Sequence, residues 1–147
     1  MLHAKIIDAS KEKIDILKAG KFLSSSSFGA IIYFVGTVRD INENKKVTGI
    51  TYDTKDTMVI KSFEEIYNES ETKLKIKDKA VFIEHVKGYV DLEEKSIIIG
   101  VGCRHRDEAY NLSRFIIEEI KKRTPIWKKE HYTNEESEWL KGVSIQL

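Results

Sequence analysis

Five segments of the chain carry hydrophobic residues in the spacing of β-strands. Branched and aromatic residues recur in them, and these residue types favour extended structure. The segments are 29–39, 47–53, 79–89 (with Gly88 marking its end), 96–103 and 126–132. The first and fourth are nearly continuous apolar runs, so we expect these two strands to be largely buried. The polar residues 40–46 predict a hairpin that pairs the first strand with the second.

Four other segments have helical spacing or composition. The clearest is 107–123, where an apolar stripe is formed by Ala109, Leu112, Ile116 and Ile120. In 57–74 the predicted inner face consists of Met58, Phe63, Ile66, Tyr67 and Leu74. In 10–19 Ser10 is the predicted N-cap, Gly20 ends the helix, and the buried side consists of Ile14, Ile16 and Leu17. A short terminal helix is predicted over 135–141.

The order of these elements indicates an α+β fold with a mostly antiparallel sheet, because strands come in pairs with helices between them. At 147 residues the chain is long enough to bury a core, and we expect one domain over residues 1–147. No apolar run has the length of a signal peptide or a membrane span. We therefore expect a cytoplasmic protein that does not bind membranes.

Charge, cysteine and histidine content exclude several kinds of site. The 25 basic and 24 acidic residues give a net charge of +1, which disfavours broad nucleic-acid binding. The single cysteine, Cys103, excludes a disulfide or CxxC pair within the chain, and its place at a strand end indicates a packed side chain rather than a sulfur relay. The four histidines lack metal-binding spacing, so we expect no metal and no cofactor, and His85 is interpreted as a packed residue.

Local positive charge is concentrated around the only proline. Residues 121–129 hold five cations in nine positions, and Pro125 should end a helix and begin an extended segment. Lysines at a helix C-terminus, such as Lys121, are expected from the helix dipole alone. Lys128 and Lys129 lie beyond the proline and are not explained in this way. Crowding by like charges would help one of them to lose a proton and act as a base or nucleophile.

Two further cationic clusters are candidates for anion binding. Thr37, Val38 and Arg39 end a buried strand, where an arginine offers a fork of donors that suits phosphate or carboxylate. The alternative is a surface arginine paired with Asp40. His105 and Arg106 precede a helix N-terminus, whose free N–H groups also attract anions. A solvated cationic turn is the alternative there.

Spacing along the third predicted helix constrains how these clusters combine. Arg106 and Lys121 are fifteen residues apart, which corresponds to about 22 Å on one helix. One small ligand cannot contact both residues of the same helix. If they serve one site, the two helix ends must come from two subunits, and we therefore predict a homodimer with shared sites.

The three clusters, in this order, resemble the large, catalytic subunit of molybdopterin synthase. The likeness is strongest over residues 28–130. The matching motifs are Phe28-Gly29-Ala30, Phe34-Val35-Gly36-Thr37-Val38-Arg39-Asp40, His105-Arg106 at a helix start, and Lys121-x-Arg123-x-Pro125-Ile126-Trp127-Lys128-Lys129-Glu130. This family usually has an acidic-aromatic-proline stretch before the second helix, where the present chain has residues 53–58, so the shape of the nearby loop is in doubt.

The resemblance implies an α/β hammerhead fold and a sulfurtransferase activity in molybdenum cofactor synthesis. Sulfur would pass from the C-terminal Gly-Gly thiocarboxylate of a small ubiquitin-like partner to cyclic pyranopterin monophosphate, giving the dithiolene of molybdopterin. Two such partners would flank a homodimer, forming a heterotetramer. Carried onto this sequence, the catalytic residues would be Lys121 and Lys128. The other substrate-binding residues would be Thr37, Val38, Arg39, His105, Arg106 and Lys129.

Two other functions use the same cations. A non-catalytic phosphate-, nucleotide- or RNA-binding module would show salt-sensitive binding to oligonucleotides, but the near-neutral chain lacks repeated aromatic stacking residues. A scaffold whose basic corner only docks an acidic partner tail is the third possibility.

Overall fold

Eight strands and three helices form the part of the chain that the structure, a computed structural model, describes: residues 1–133 and 138–139. The strands are β1 Leu2–Asp8, β2 Ala30–Thr37, β3 Ile41–Asn42, β4 Lys45–Thr54, β5 Lys79–Asp91, β6 Lys95–Cys103, β7 Ile126–Tyr132 and β8 Glu138–Trp139. The helices are α1 Ile16–Leu23, α2 Asp56–Lys73 and α3 Arg106–Arg123.

The strands lie in the order β2-β6-β5-β4-β7-β8, with β1 beside β5 and β3 beside β4. Only the β1–β5 pair is parallel among the described strands, so the predicted α+β class with a mostly antiparallel sheet is confirmed. Strand β5 changes neighbours at Gly88: residues 81–87 pair with β1, and residues 88–91 pair with β4. Gly88 has φ of 100°, a conformation that glycine adopts easily. The prediction that Gly88 ends the strand was therefore wrong.

The predicted hairpin between the first two long strands was also wrong. Strand β2 pairs with β6, from Ala30 opposite Cys103 to Thr37 opposite Lys95. Strand β4 instead forms a tight hairpin with the two-residue strand β3. The turn consists of Glu43 and Asn44, both with positive φ, which is the backbone of a two-residue hairpin loop. In the sheet β4 lies between β5 and β7, whereas β2 lies beside β6, so the two strands are not neighbours.

Strand β2 is less buried than its apolar sequence predicts. It lies at the end of the strand order, and Ile31, Tyr33 and Phe34 are exposed. An edge strand has a neighbour on one side only, which leaves these side chains partly uncovered. The prediction of a buried strand at 96–103 is confirmed, because β6 is buried along almost its whole length.

The first helix begins later than predicted. Asp15, not Ser10, is the N-cap and accepts a hydrogen bond from the backbone N–H of Leu17. Ser10 donates its N–H and its hydroxyl to the Asp8 carboxylate in a turn before the helix. This change of phase exposes Ile16 and Leu17 and buries Ala19 and Leu23. The predicted burial of Ile14 is confirmed.

The two long helices were predicted more accurately. The α3 stripe is buried as predicted, namely Ala109, Leu112, Ile116 and Ile120. Helix α2 buries Phe63 and Ile66, but Met58 is exposed because the buried face runs through Val59. Of the predicted terminal helix at 135–141, Glu138–Trp139 is a strand paired with β7, and the remainder lies outside the described residues. None of the described helices is both long enough and apolar enough to cross a membrane.

The difference in helix phase predicts a contrast in stability. Ile116 is 0% exposed and Leu17 is 77% exposed. Ile116→Ala should lower the free energy of unfolding by about 2–5 kcal/mol because it leaves a cavity in the core. Leu17→Ala should change it by less than about 0.5 kcal/mol. Urea unfolding measures both values, and equal losses in the two variants would contradict the position of α1.

Candidate active site

One corner of the molecule brings together three of the predicted cations. Lys121 lies on the last turn of α3, Lys128 lies in β7, and Arg39 follows β2. The pKa of Lys128 is lowered, firstly by burial and then by the positive charge of Lys121, with a further contribution from Arg39. The nearby Glu130 carboxylate opposes this shift. The ammonium and guanidinium groups are therefore close enough to interact electrostatically within one chain.

The turn between α3 and β7 sets the relative positions of the two lysines. The N–H of Thr124 donates to the Ile120 carbonyl at the end of the helix, and Pro125 cannot continue the helical hydrogen bonds. The buried Thr124 hydroxyl lies 2.7 Å from the Ser62 hydroxyl of α2. Strand β7 then begins at Ile126. The predicted change from helix to extended chain at Pro125 is confirmed.

Tyr52 and His85 form the wall beside Lys128. Tyr52 is the direct cross-strand partner of Lys128, and residues paired in this way have side chains on the same face of a sheet. The Tyr52 and His85 rings meet edge to face, with centroids 5.0 Å apart. His85 is buried and its Nδ1–H donates to the Val86 carbonyl at 2.7 Å, so its predicted role as a packed residue is confirmed. Nothing in the sequence indicated that Tyr52 belongs to this site, because its position beside Lys128 depends on how β4 and β7 pair.

Glu130 supplies a buried negative charge on the same face of β7. It lies two residues beyond Lys128, and side chains alternate between faces along a strand. Its Oε1 accepts hydrogen bonds from the Asn42 amide at 2.9 Å and the Tyr132 hydroxyl at 2.8 Å. Both donors bind the same oxygen and fix the carboxylate near Lys128. Sequence reasoning gave Glu130 no role, since nothing local indicated that it is buried.

Lys129 lies on the opposite face of β7. It pairs with Thr51, and the same face carries His131, whose Nε2 is 2.7 Å from the Thr51 hydroxyl. Alternation therefore directs the Lys129 side chain away from the face shared by Tyr52 and Lys128. The structure does not bring this side chain together with Lys121 and Lys128.

The segment from Thr37 to Arg39 leaves the sheet at an irregularity. The β2–β6 register shifts between Gly36 and Thr37. Val38 is buried, and its N–H and carbonyl are both hydrogen-bonded to the turn after β5, through Glu94 and Glu93. Thr37 and Arg39 are exposed on either side of it. Arg39 forms no ion pair with Asp40, so that alternative is not supported by the described contacts.

His105 and Arg106 lie at the other end of the molecule. Ala30 pairs with Cys103 at the start of β2, whereas Thr37 pairs with Lys95 at its end. His105 is the exposed N-cap of α3, with Nδ1 3.7 Å from the Glu108 carboxylate. Lys121 is on the last turn of the same 18-residue helix, about 20 Å away or more. Within a single chain, His105 and Arg106 therefore lie far from the corner that contains Lys128.

Cys103 is a core residue rather than a reactive thiol. It is free and 0% exposed, and burial raises its pKa to about 11. The thiolate is the nucleophilic form, so this side chain is inert at neutral pH. The predicted packing role is confirmed. Within residues 1–133 and 138–139, no three His, Cys, Asp or Glu side chains are grouped so that they could hold a metal ion.

Comparisons with known proteins identify the family of this chain. The sequence model described as MoaE protein matches residues 9–123. The chain is 37% identical over 136 residues to the molybdopterin synthase catalytic subunit of Synechococcus elongatus, covering 92% of this chain and 82% of that one. The chain belongs to the MoaE family.

Solved structures share the MoaE fold seen in this chain. The molybdopterin synthase structure from Staphylococcus aureus superposes with a TM-score of 0.84 at 28% identity, covering 92% of this chain and 94% of that chain. A chain from the Helicobacter pylori complex of subunits 1 and 2 of molybdopterin-converting factor gives 0.73 at 25% identity, covering 94% and 90%. The predicted family and fold class are therefore confirmed. In the segment 53–58, where this MoaE chain departs from the expected motif, β4 ends and α2 begins.

The buried His85 predicts a loss of stability in mildly acidic solution. Burial lowers its pKa from 6.5 to about 4. Between these pH values the unfolded chain binds a proton that the folded chain does not, so stability falls as pH decreases. The loss through this window should reach about 3 kcal/mol, measured as the free energy of unfolding in urea at several pH values.

His85→Gln should remove this part of the pH dependence, because glutamine has no proton to gain. His131→Gln is the matched control. It removes a histidine of β7 whose side chain lies on the face of the sheet opposite to Lys128. The assignment fails if the His85 variant keeps the wild-type dependence between pH 6.5 and 4.

Proposed function

We propose that this MoaE chain is the catalytic subunit of a molybdopterin synthase. It transfers sulfur from the C-terminal thiocarboxylate of a small ubiquitin-like subunit to cyclic pyranopterin monophosphate, forming the molybdopterin dithiolene. The observation that carries the proposal is the convergence of Lys121, Lys128 and Arg39 at one corner of a chain of this family. Both the phosphate-bearing substrate and the thiocarboxylate are anions, which such a corner attracts.

The three cations are suited to different parts of this reaction. The Arg39 guanidinium is a fixed fork of donors that fits a phosphate. The lowered pKa of Lys128 increases the fraction of neutral amine, which can accept a proton or act as a nucleophile while sulfur is transferred. The Lys121 charge supports this state of Lys128 and adds positive potential for the incoming carboxy-terminal tail. We assign both lysines to catalysis and Arg39 to substrate binding.

The remaining binding groups are proposed to come from a second copy of the chain. Strand β2 is an edge strand with exposed Ile31, Tyr33 and Phe34. An antiparallel contact between two β2 edges would place the Arg39 end of one chain beside the His105 end of the other. A twofold axis produces two such contacts at once. Each site would then combine Lys121, Lys128 and the Thr37–Arg39 segment of one subunit with His105 and Arg106 of its partner.

The small sulfur-carrier subunit is the second proposed partner. One structural neighbour is a complex of the two subunits of molybdopterin-converting factor, which supports a heteromeric assembly. Two carriers on a homodimer give a heterotetramer. Lys129 is kept as a proposed binding residue, but its position on the opposite face of β7 favours a contact through its backbone or with the carrier. The RNA-binding alternative is less well supported, because the converging cations surround a half-buried amine rather than an extended surface.

The proposal predicts that single lysine substitutions abolish product formation. Lys121→Ala and Lys128→Ala should each lower the single-turnover rate with carrier and pterin by at least about a hundredfold, because each removes a group that contacts the reacting atoms. The variants should remain folded, as judged by circular dichroism and thermal unfolding.

Lys122→Ala is the matched control for these variants. Lys122 neighbours Lys121 on the same helical turn but is paired with Glu119 at 3.5 Å. Its substitution should leave the rate within about twofold of wild type, since surface ion pairs contribute little. Full activity in the Lys121 and Lys128 variants would refute the catalytic assignment.

Shared sites predict complementation between inactive subunits. A homodimer formed from His105→Ala/Arg106→Ala on one subunit and Lys128→Ala on the other has one site with all defects and one intact site. Random pairing of equal amounts should therefore restore about a quarter of the wild-type activity, although each parent is inactive. Sites contained within single chains would give no restoration, and this outcome would exclude the shared arrangement.

A further inference from the structure

The wall behind Lys128 consists of two neutral rings from two different strands. Tyr52 belongs to β4 and is almost completely buried, and His85 belongs to β5. Their edge-to-face contact, with planes 75° apart, packs the imidazole against the Tyr52 ring, and Tyr52 shares its face of the sheet with its cross-strand partner Lys128. Both rings therefore lie beside the half-buried Lys128 side chain.

Each ring is held in place by contacts outside the pair. The Nδ1–H of His85 donates to the Val86 carbonyl, which fixes the tautomer, while burial keeps the imidazole uncharged. The Tyr52 hydroxyl lies beside the Ser96 hydroxyl, which itself donates to the Gly36 carbonyl at 3.3 Å. This contact connects the wall to the strand that leads into Thr37 and Arg39. The rings are thus anchored on both sides of the cationic corner.

We propose that Tyr52 and His85 are positioning residues that exclude water from the Lys128 amine and hold it toward Lys121 and Arg39. Neither ring contacts the substrate in this arrangement, and both act through Lys128. The inference rests on the proposed catalytic role of Lys128 and adds the residues that prepare it. Neutral rings suit this task, because a carboxylate in the same place would keep the amine protonated.

The charged groups around Lys128 agree with this division of roles. Lys121 of α3 and Arg39 after β2 favour loss of its proton, while Glu130 of the same strand favours its retention. These contributions oppose one another, and burial is the largest cause of the lowered pKa. His85, whose own pKa is about 4, adds no positive charge at neutral pH. In this proposal, the rings of Tyr52 and His85 supply the part of this burial that comes from β4 and β5.

The experiment is pH-dependent labelling of Lys128 with acetic anhydride in the intact protein, read by mass spectrometry. Only the neutral amine reacts, so the midpoint of labelling reports the protonation of Lys128 without requiring activity. Tyr52→Leu shortens the wall and should move the midpoint to higher pH, lowering the labelling rate at neutral pH severalfold. Tyr52→Phe keeps the ring but loses the contact with Ser96, so its midpoint should lie much closer to the wild-type value than that of Tyr52→Leu. His131→Gln is the matched control on the opposite face and should also leave it unchanged.

His85→Ala opens the wall from the other strand and should also raise the midpoint, which keeps the test valid if Tyr52→Leu does not fold. The acidic limb of the single-turnover rate should move with the labelling midpoint in the same variant. A wild-type midpoint in folded Tyr52→Leu or His85→Ala protein would overturn the proposal. The two proposals can fail separately. If the ring variants shift the labelling midpoint but Lys128→Ala is fully active, the role of the two rings stands and the proposed catalytic function is refuted.

Discussion

The arrangement of the site depends on the amine of Lys128, which is partly buried beside the two cations Lys121 and Arg39. Burial and like charges both disfavour an ammonium ion, so Lys128 loses its proton more easily than a lysine in water and would be stabilised by an anion. Glu130 limits this cost without removing it, because its carboxylate is also hydrogen-bonded to Asn42 and Tyr132. An arriving phosphate or thiocarboxylate would meet donors that are already in position.

The fold maintains this arrangement through two constraints that lie far apart in the sequence. Pro125 ends α3 and starts β7, which fixes how Lys121 approaches Lys128. The ladder between β4 and β7 places Tyr52 against Lys128, and β5 adds His85 behind it. The first constraint is local and the second requires strand pairing across more than seventy residues. The corner is therefore a product of tertiary structure, although two of its three cations, Lys121 and Lys128, come from one short motif.

This difference explains which features could be predicted from the sequence. The α3 stripe, the Pro125 boundary and the burial of Cys103 follow from spacing and residue type over a few turns of chain. The pairing partner of β2 could not be predicted, because adjacent strands often form hairpins and the short β3 strand took the place expected for β2. The α1 boundary was misplaced because Ser10 and Asp15 are both suitable N-caps, and only packing selects Asp15.

The candidate site divides in the same way. The sequence shows the cations as motifs but does not show which face of the sheet each side chain occupies. Lys128 and Lys129 are adjacent in sequence, yet their side chains lie on opposite faces of β7. A similar separation, on a larger scale, places His105 and Arg39 at opposite ends of β2. In the proposed shared site, the cluster at each end of one chain is completed by a second chain that runs in the opposite direction, as an antiparallel twofold contact would allow. Substrate bound across such a contact would stabilise the dimer as well as each subunit, because it binds only the assembled form. Activity and assembly would then depend on the same few cations.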